Sequence, residues 1–457
     1  MPNYDAIIIG TGQAGPALTR RLVAAGWKVA VIERKLFGGT CVNTGCTPTK
    51  TMVASAYAAH VARRAADYGV TVEGAVNVDM KAVKARKDAV VAVSRDGLER
   101  SLKSLNGCTV YQGHGRFVGP KEVQVGSEIL EADKIFLNVG ARALVPPIPG
   151  LDAIPYLTNS SMMDVDFLPA HLVVLGGSYV GLEFAQMYRR FGSEVTVIER
   201  APRLVGREDE DVSQAIADFL TEEGVDIRVK SEVVKVEQRG SQIAVSVEAG
   251  AAKSQIVGSH LLVAIGRRPN TDDLGLDKAG ISTDKHGYIE TDDQLRTNVP
   301  GIWALGDCNG RGAFTHTAWN DFEIVASNIL DHESRRVSDR ITAYALYTDP
   351  PLGRAGMTEA EVRKSGRPAL MATVPMENVS RAYEKGETKG FMKVLVDEQT
   401  KQILGASLLG VSGDEVIHCI LDVMYAKAPF TVIQRAMHIH PTVSEFLPVL
   451  MGNLAPM

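Results

Sequence analysis

Asp5-Ala6-Ile7-Ile8-Ile9-Gly10-Thr11-Gly12-Gln13-Ala14-Gly15 is an apolar run that breaks into a glycine-rich turn. An amphipathic stretch to about Ala25 follows, and then Lys28-Val29-Ala30-Val31-Ile32-Glu33, a second apolar run ending in an acid. The order reads as strand, turn, helix, strand, the βαβ unit of a parallel sheet. Gly10 and Gly12 let the backbone turn tightly and approach a pyrophosphate, and Gly15 lets the helix pack closely. Glu33, at the end of the second strand, is placed to accept hydrogen bonds from an adenosine ribose. A purely structural glycine turn is the alternative, and the acid at the next strand end argues against it.

The pattern recurs. Leu172-Val173-Val174-Leu175-Gly176-Gly177-Ser178-Tyr179-Val180-Gly181-Leu182-Glu183 runs from strand to helix, and Glu194-Val195-Thr196-Val197-Ile198-Glu199 again ends in an acid. Ser178 replaces the middle glycine, and its small side chain still admits a pyrophosphate. Two dinucleotide sites are therefore expected. Glu199 favours a free ribose 2′-hydroxyl and repels a 2′-phosphate, whereas Arg200 and Arg203 pull the other way. NADH is the favoured reading and NADPH the alternative.

The segments around these units divide the chain. Pro146, Pro147, Pro149 and Gly150 mark a boundary, and Leu261-Leu262-Val263-Ala264-Ile265-Gly266 closes the second unit. Thr297-Asn298-Val299-Pro300-Gly301-Ile302-Trp303-Ala304-Leu305-Gly306-Asp307 is another strand ending in an acid, so the chain is expected to return there to the first unit. Asp307 is suited to hold a hydroxylated cofactor chain, with a turn-forming Gly-Asp as the alternative. Gly115, Gly140 and Gly266, in short glycine-bearing segments, complete the expected cofactor contacts. His316 either faces this cofactor or is structural. Val78 to Leu105 reads as a charged, solvated helix. From about Ala343 alternating strands and an apolar helix, Glu415 to about Ala426, indicate a separate α+β unit. The expected division is 1–150, 151–270, 271–340 and 341–457.

Gly38-Gly39-Thr40-Cys41-Val42-Asn43-Thr44-Gly45-Cys46-Thr47-Pro48-Thr49-Lys50 carries the chemistry. It precedes a stretch, Thr51 to Tyr68, that reads as a helix with Pro48 in or near its first turn. Unpaired N–H groups and the positive end of a helix dipole stabilise a thiolate, the form of sulfur that attacks a disulfide or a soft metal. A reversible disulfide, a metal half-site and two unrelated buried thiols all remain open at this point. A zinc site needs a second ligand pair at matching spacing, but Cys108, Cys308 and Cys419 are scattered singly and read as core residues.

Composition narrows the class. The 457 residues are 45% hydrophobic and 23% charged, with a net charge of -5, so neither disorder nor a general attraction to nucleic acid or anionic membrane is expected. No apolar run approaches the roughly 20 residues that span a bilayer, and the chain enters a strand without a signal-like start. A cytoplasmic protein is the expectation, where a close cysteine pair is catalytic or metal-binding more often than a staple. Near the end, His440 and Glu445 in His440-Pro441-Thr442-Val443-Ser444-Glu445 are suited to carry a proton and to orient the carrier.

Taken in order, these segments resemble the flavin-dependent pyridine nucleotide-disulfide oxidoreductases over essentially the whole chain, in the branch of dihydrolipoyl dehydrogenase, glutathione reductase and mercuric reductase. The resemblance implies two Rossmann-like domains, one for FAD and one for NAD(P), and a C-terminal α+β dimerisation domain. It implies that Gly10, Gly12, Gly15 and Glu33 hold the ADP part of FAD and Asp307 its ribityl region. It places Lys50 and its partner Glu183 beside the flavin, NAD(P)H at Gly176, Gly181 and Glu199, and Tyr179 as a lid over the nicotinamide pocket. Cys46 becomes the flavin-side sulfur and Cys41 the interchange thiol. His440 reaches the active site of the other copy in a homodimer. The implied reaction passes electrons from NAD(P)H through FAD to a Cys41-Cys46 disulfide, and on to a small disulfide, a thiolate-bound metal or an electrophile. Mercuric ion reduction proper is an alternative, against which the tail Gly452 to Met457 has no cysteine pair. A flavoprotein redox sensor without turnover is the alternative from another class. No resident metal is expected.

Overall fold

The structure is a computed structural model that describes residues 2–457. Strand β1 (Asn3–Ile9), helix α1 (Ala14–Ala24) and β2 (Val29–Glu33) form the first βαβ unit, with β1 and β2 parallel. Ile7, Ile8 and every residue of β2 are buried, as strands covered on both faces must be. After β2 come α2 (Gly39–Asn43), α3 (Cys46–Arg63), α4 (Met80–Lys103), β3 (Cys108–Gln112), β4 (Gly115–Gly119), β5 (Glu122–Val125) and β6 (Glu128–Leu137). The sheet order is β3-β2-β1-β6-β5-β4, parallel through β6 and antiparallel beyond it.

Two helices differ from the sequence reading. Helix α3 begins at Cys46, five residues before Thr51, because Pro48 falls where N–H groups have no intrahelical acceptor and its missing donor removes no bond. Helix α4 is as expected in extent and is capped by Asp79, which accepts from the N–H groups of Lys81 and Ala82. Its charges are not all solvated, however. Lys87 is 3% exposed and donates to the Met163 carbonyl at 2.7 Å.

After β7 (Ala141–Ala143) the second unit repeats the first: β8 (His171–Leu175), α5 (Tyr179–Phe191), β9 (Glu194–Ile198), α6 (Glu210–Glu222) and β10 (Val225–Arg228). An antiparallel meander, β11 (Glu232–Arg239), β12 (Gln242–Ala249) and β13 (Ala252–Gly258), precedes β14 (His260–Val263), which completes the parallel order β10-β9-β8-β14. The repeat holds in atomic detail. Gly10 and Gly176 both have positive φ, 102° and 110°. A Cβ at Gly15 would lie 2.3 Å from the Gly10 carbonyl oxygen, and one at Gly181 only 2.0 Å from that of Gly176. Each helix therefore packs closer to its glycine turn than any other residue permits.

Strand β15 (Arg267–Pro269) pairs antiparallel with β7, tying the outgoing and returning connections together. After α7 (Leu276–Ala279), β16 (Ile302–Ala304) joins β6 in parallel, and α8 (Thr315–Leu330) lies against α1. The chain thus returns to the first sheet once the second unit is complete. The remainder folds as β17 (Ala343–Leu346), β18 (Leu352–Gly356), α9 (Glu359–Ser365), β19 (Ala369–Pro375), α10 (Ser380–Glu384), β20 (Phe391–Asp397), β21 (Ile403–Leu409), α11 (Gly413–Tyr425), α12 (Thr431–Gln434), α13 (Leu447–Gly452) and β22 (Ala455–Pro456). Its antiparallel sheet has the order β17-β18-β21-β20-β19-β22, and α11 covers β18 and β21. The fold is α/β with two Rossmann-like sheets and a C-terminal α+β unit. Among the described residues no helix is long and apolar enough to cross a membrane.

Candidate active site

Cys41 sits in the short helix α2 and Cys46 is the first residue of α3. Both are free thiols, and they are near enough for each to be the largest influence on the acidity of the other. Asn43 Nδ2 braces the loop by donating to the Phe37 and Gly39 carbonyls at 2.8 and 2.9 Å. The Cys46 sulfur also lies 3.2 Å from Thr315 Oγ1, at the start of α8.

These neighbours divide the two thiols electrostatically. Cys46 is lowered from the ordinary 9.0 to about 6, chiefly by the hydrogen bond from Cys41 and, against the effect of burial, by Thr315 and the charge of Lys50. Cys41 is pushed up, because it spends its proton on Cys46 and is itself partly buried. The reduced pair is a thiol beside a thiolate. Thiolate absorbance near 240 nm is therefore expected to persist at pH 7 and to vanish as pH falls through about 6. In Cys41→Ala, which removes the largest cause, the midpoint moves upward. A midpoint unchanged in that variant contradicts this account.

Lys50, one turn along α3 from Cys46, places Nζ 2.5 Å from Glu183 Oε2 on α5. The other oxygen, Oε1, accepts from the Tyr347 N–H at 3.1 Å, and the Lys50 ammonium stands 4.5 Å from the centre of the Tyr347 ring. Tyr179 packs edge-on to Phe314, 6.3 Å between ring centres, and Phe314 precedes Thr315. The start of α5 and the cysteine pair are thus two short contacts apart. His316 is structural: Nε2 pairs with the Ala343 carbonyl at 2.7 Å and the ring stacks on Phe314.

Both strand-end acids brace their own glycine turns. Glu33 Oε2 accepts from Thr11 N at 3.0 Å and Thr11 Oγ1 at 2.6 Å, and Glu199 Oε2 from Gly177 N at 2.7 Å. Their second oxygens accept from Lys35 N at 2.8 Å and Ala201 N at 2.6 Å. The first turn also meets the cysteine loop, since Gly38 N donates to Thr11 Oγ1 at 3.2 Å and a Cβ at Gly39 would lie 2.9 Å from Gly12 Cα. Asn138 Nδ2 is buried without a partner, 3.0 Å from where a Gly12 Cβ would stand. An unpaired amide donor beside a glycine cradle suits a ligand rich in oxygen acceptors, as a dinucleotide pyrophosphate is.

Asp307 follows β16, and Oδ2 lies 3.2 Å from Arg267 Nη2. Burial raises its pKa against the pull of that guanidinium. Arg267 also donates to the Ala141 carbonyl at 2.6 Å, while its Nε is buried without a partner. Gly140 leaves open space where a side chain would stand, and Gly266 nearly so, whereas Gly115 is buried against Ile32 and Ile9.

His440 and Glu445 come together, Nδ1 to Oε2 at 2.9 Å, but not with the cysteines of the same chain. The ring is 73% exposed, next to Met437 at 99% and Ile439 at 80%. Thr315, Tyr347, Asn138 and Arg267 escaped the sequence reading. Asn138 and Arg267 lie beside Gly140 and Gly266 in the glycine-bearing segments, which had given them no role, whereas Thr315 and Tyr347 come from distant parts of the chain outside every motif. Among the described residues no group of three or more His, Cys, Asp or Glu is placed to hold a metal ion.

Residues 4–321 match the family described as pyridine nucleotide-disulphide oxidoreductase, and residues 342–450 match the dimerisation domain of that family. The chain is 36% identical over 455 residues to the probable pyridine nucleotide-disulfide oxidoreductase RclA of Escherichia coli, covering 98% of each chain. It is 31% identical to a dihydrolipoyl dehydrogenase of Chlamydia muridarum, covering 97% of this chain and 95% of that one. With a mercuric reductase of Staphylococcus aureus it is again 31% identical, covering 98% and 80%. Two solved structures share 35% identity: the HOCl-induced flavoprotein disulfide reductase RclA from E. coli, at a TM-score of 0.90 covering 98% and 99%, and its Cu(II) complex, at 0.91 covering 99% of each.

Proposed function

The chain belongs to the pyridine nucleotide-disulphide oxidoreductase family, and from that premise we propose that Cys41 and Cys46 form its redox disulfide, with Cys41 facing the acceptor. Membership makes it an FAD-dependent NAD(P)H disulfide oxidoreductase with a C-terminal dimerisation domain. The observation that carries the reading is the placement of Cys46 at the first residue of α3, with Thr315 Oγ1 at 3.2 Å and the Lys50-Glu183 pair one turn along, a setting that lowers the Cys46 thiol.

FAD, when bound, supplies the two-electron relay between a nicotinamide hydride and the disulfide. Gly10, Gly12, Gly15, Glu33, Asn138, Asp307 and Arg267 would hold it, in a domain built from residues 1–150 and 271–340. Gly176, Ser178, Gly181 and Glu199 would hold the nicotinamide dinucleotide in residues 151–270, with Tyr179 over the nicotinamide end. Two electrons and one proton open the disulfide to a Cys41 thiol and a Cys46 thiolate. Cys41 gives its proton to His440 of the other copy of the chain, whose ring Glu445 holds, and attacks the acceptor disulfide. One acceptor thiolate leaves and takes the proton from His440. The Cys46 thiolate then attacks the Cys41 sulfur, restores the internal disulfide and expels the second acceptor thiolate, which takes a proton from water. The exposed His440 ring and its apolar neighbours Met437 and Ile439 support residues 341–457 as the interface that delivers it.

NADH is our favoured donor. Glu199 borders the second turn, and Arg203 turns Nη2 to carbonyls of its own loop, Gly206 at 3.4 Å and Glu208 at 3.2 Å, which draws that guanidinium away from a 2′-phosphate. The names of the relatives, a mercuric reductase and an HOCl-induced disulfide reductase with a Cu(II) complex, support an acceptor class of small disulfides, thiolate-bound metal ions and electrophiles, as in a stress-linked cytoplasmic reductase. The test is nucleotide consumption by the holoenzyme with lipoamide, glutathione disulfide, mercuric thiolates and small oxidants. Turnover with at least one of these, with kcat/KM for NADH at least about tenfold above NADPH, is expected. Reduction by NADH that no acceptor reverses overturns it in favour of a redox sensor.

A further inference from the structure

The segment Glu208-Asp209-Glu210-Asp211, which enters α6, lies against the C-terminal sheet. Tyr344, Arg354, Ser407 and Lys393 stand side by side there on the adjacent strands β17, β18, β21 and β20. Asp209 and Asp211 pair with Lys393, and Glu208 turns back toward the active site. Glu208 is 1% exposed, and its Oε1 accepts from two phenols, Tyr179 at 2.9 Å and Tyr344 at 2.6 Å. Its Oε2 faces the Arg354 guanidinium at 3.7 Å and has no hydrogen bond. Burial with the Glu208 charge alongside raises both tyrosines, so both hydroxyls stay protonated as donors.

Tyr179 is where two routes cross. Its main chain opens α5 next to Ser178, and its ring meets Phe314, one residue from the Thr315 that bonds Cys46. A ligand with its pyrophosphate at the start of α5 and its reactive ring near Cys46 would run alongside this ring, which bridges the two ends of the route. We propose that Glu208 is a positioning residue that latches Tyr179 across this route, so that a bound nicotinamide dinucleotide breaks the Tyr179-Glu208 hydrogen bond. The inference rests on the reading of Tyr179 as bordering the nicotinamide pocket and adds the group that holds it closed. Because only the unlatched fraction binds, the latch weakens nucleotide affinity by the factor by which it favours the closed state. It also ties that affinity to the C-terminal sheet through Tyr344 and Arg354.

The test is calorimetric binding of NAD+ to the oxidised holoenzyme, with the KM for NADH measured in parallel. Tyr179→Phe keeps the ring and removes only the donor, and is expected to tighten NAD+ binding about tenfold, the scale of one hydrogen bond to a charged acceptor. Glu208→Gln is expected to tighten it less, because the amide oxygen still accepts. The KM for NADH should fall with the dissociation constant, a split from kcat that a merely structural role does not produce. Unchanged or weaker binding in Tyr179→Phe, together with altered binding in Tyr179→Ala, overturns the latch and leaves Tyr179 beside the nucleotide. No change in either Tyr179 variant overturns both the latch and the placement of Tyr179. Tyr179→Phe decides the matter even if Glu208→Gln fails to fold with Arg354 uncompensated.

Discussion

Cys41→Ser is expected to lower NADH-driven reduction of a disulfide acceptor by at least about a thousandfold, the scale on which removal of a nucleophile acts. A serine hydroxyl is too weak an acid to attack a disulfide sulfur, and with one thiol left no internal disulfide forms. The flanking structure should survive, because the new hydroxyl still donates to the Cys46 sulfur and fills nearly the same space. Cys46 should therefore remain a thiolate at pH 7, reactive as a single equivalent toward iodoacetamide. These two readouts divide the labour of the pair, with attack lost in Cys41→Ser and the stabilised anion kept. Turnover above about a tenth of the parent rate would show that the acceptor meets some other group, and the assignment of Cys41 as the interchange thiol would fall.

What the sequence made legible was whatever is local. The glycine turn and terminal acid of each βαβ unit lie within about thirty residues, so spacing alone pointed to two dinucleotide-binding βαβ units. The cysteine pair and the His440-Glu445 pair are likewise short-range in sequence, and His440 and Glu445 meet at 2.9 Å. What tunes them is not local. Thr315 is 269 positions from Cys46 and Tyr347 is 164 from Glu183, and the Lys50-Glu183 pair, 133 positions apart, was legible only through the family resemblance. No periodicity links such residues, because the fold creates the contact. Lys87 differs for a related reason: in a charged helix it reads as solvated, and beside its neighbour Asp88 it finds the carbonyl of Met163, 76 positions away, which no local pattern announces. Pro48 lies in the first turn of α3 as its sequence position suggests, and the helix simply extends back past it to Cys46.

The same long-range logic sets the second large effect. Lys393→Met is expected to destabilise the protein by about 3–5 kcal/mol, the scale for removing one member of a buried ion pair. Lys393 is 1% exposed, and its Nζ lies 2.8 and 2.9 Å from the Asp211 oxygens, 3.0 Å from Asp209 Oδ2 and 3.3 Å from Glu359 Oε2. One cation therefore serves three carboxylates where α6, α9 and β20 meet. Methionine is unbranched and only one heavy atom shorter, so the loss reflects chiefly the charge and not a cavity. Asp209, buried and capping α9 through the N–H groups of Glu359 and Ala360, would be left among like charges. The pH dependence follows from its sign. Burial acts to raise Asp209, but the Glu359 N–H and Lys393 outweigh it and hold the carboxyl below its ordinary 3.8. Its contribution is complete above that value and is lost as pH falls through the lower folded value. The gap between parent and variant should accordingly be widest near neutrality and narrow in acid. Calorimetric melting of the two holoenzymes at pH 7 and in acid, expected to differ by on the order of 5–10 °C at pH 7, decides it. A difference below about 1 °C would mean that the carboxylates find other partners and that Lys393 does not hold the second nucleotide unit to the C-terminal sheet.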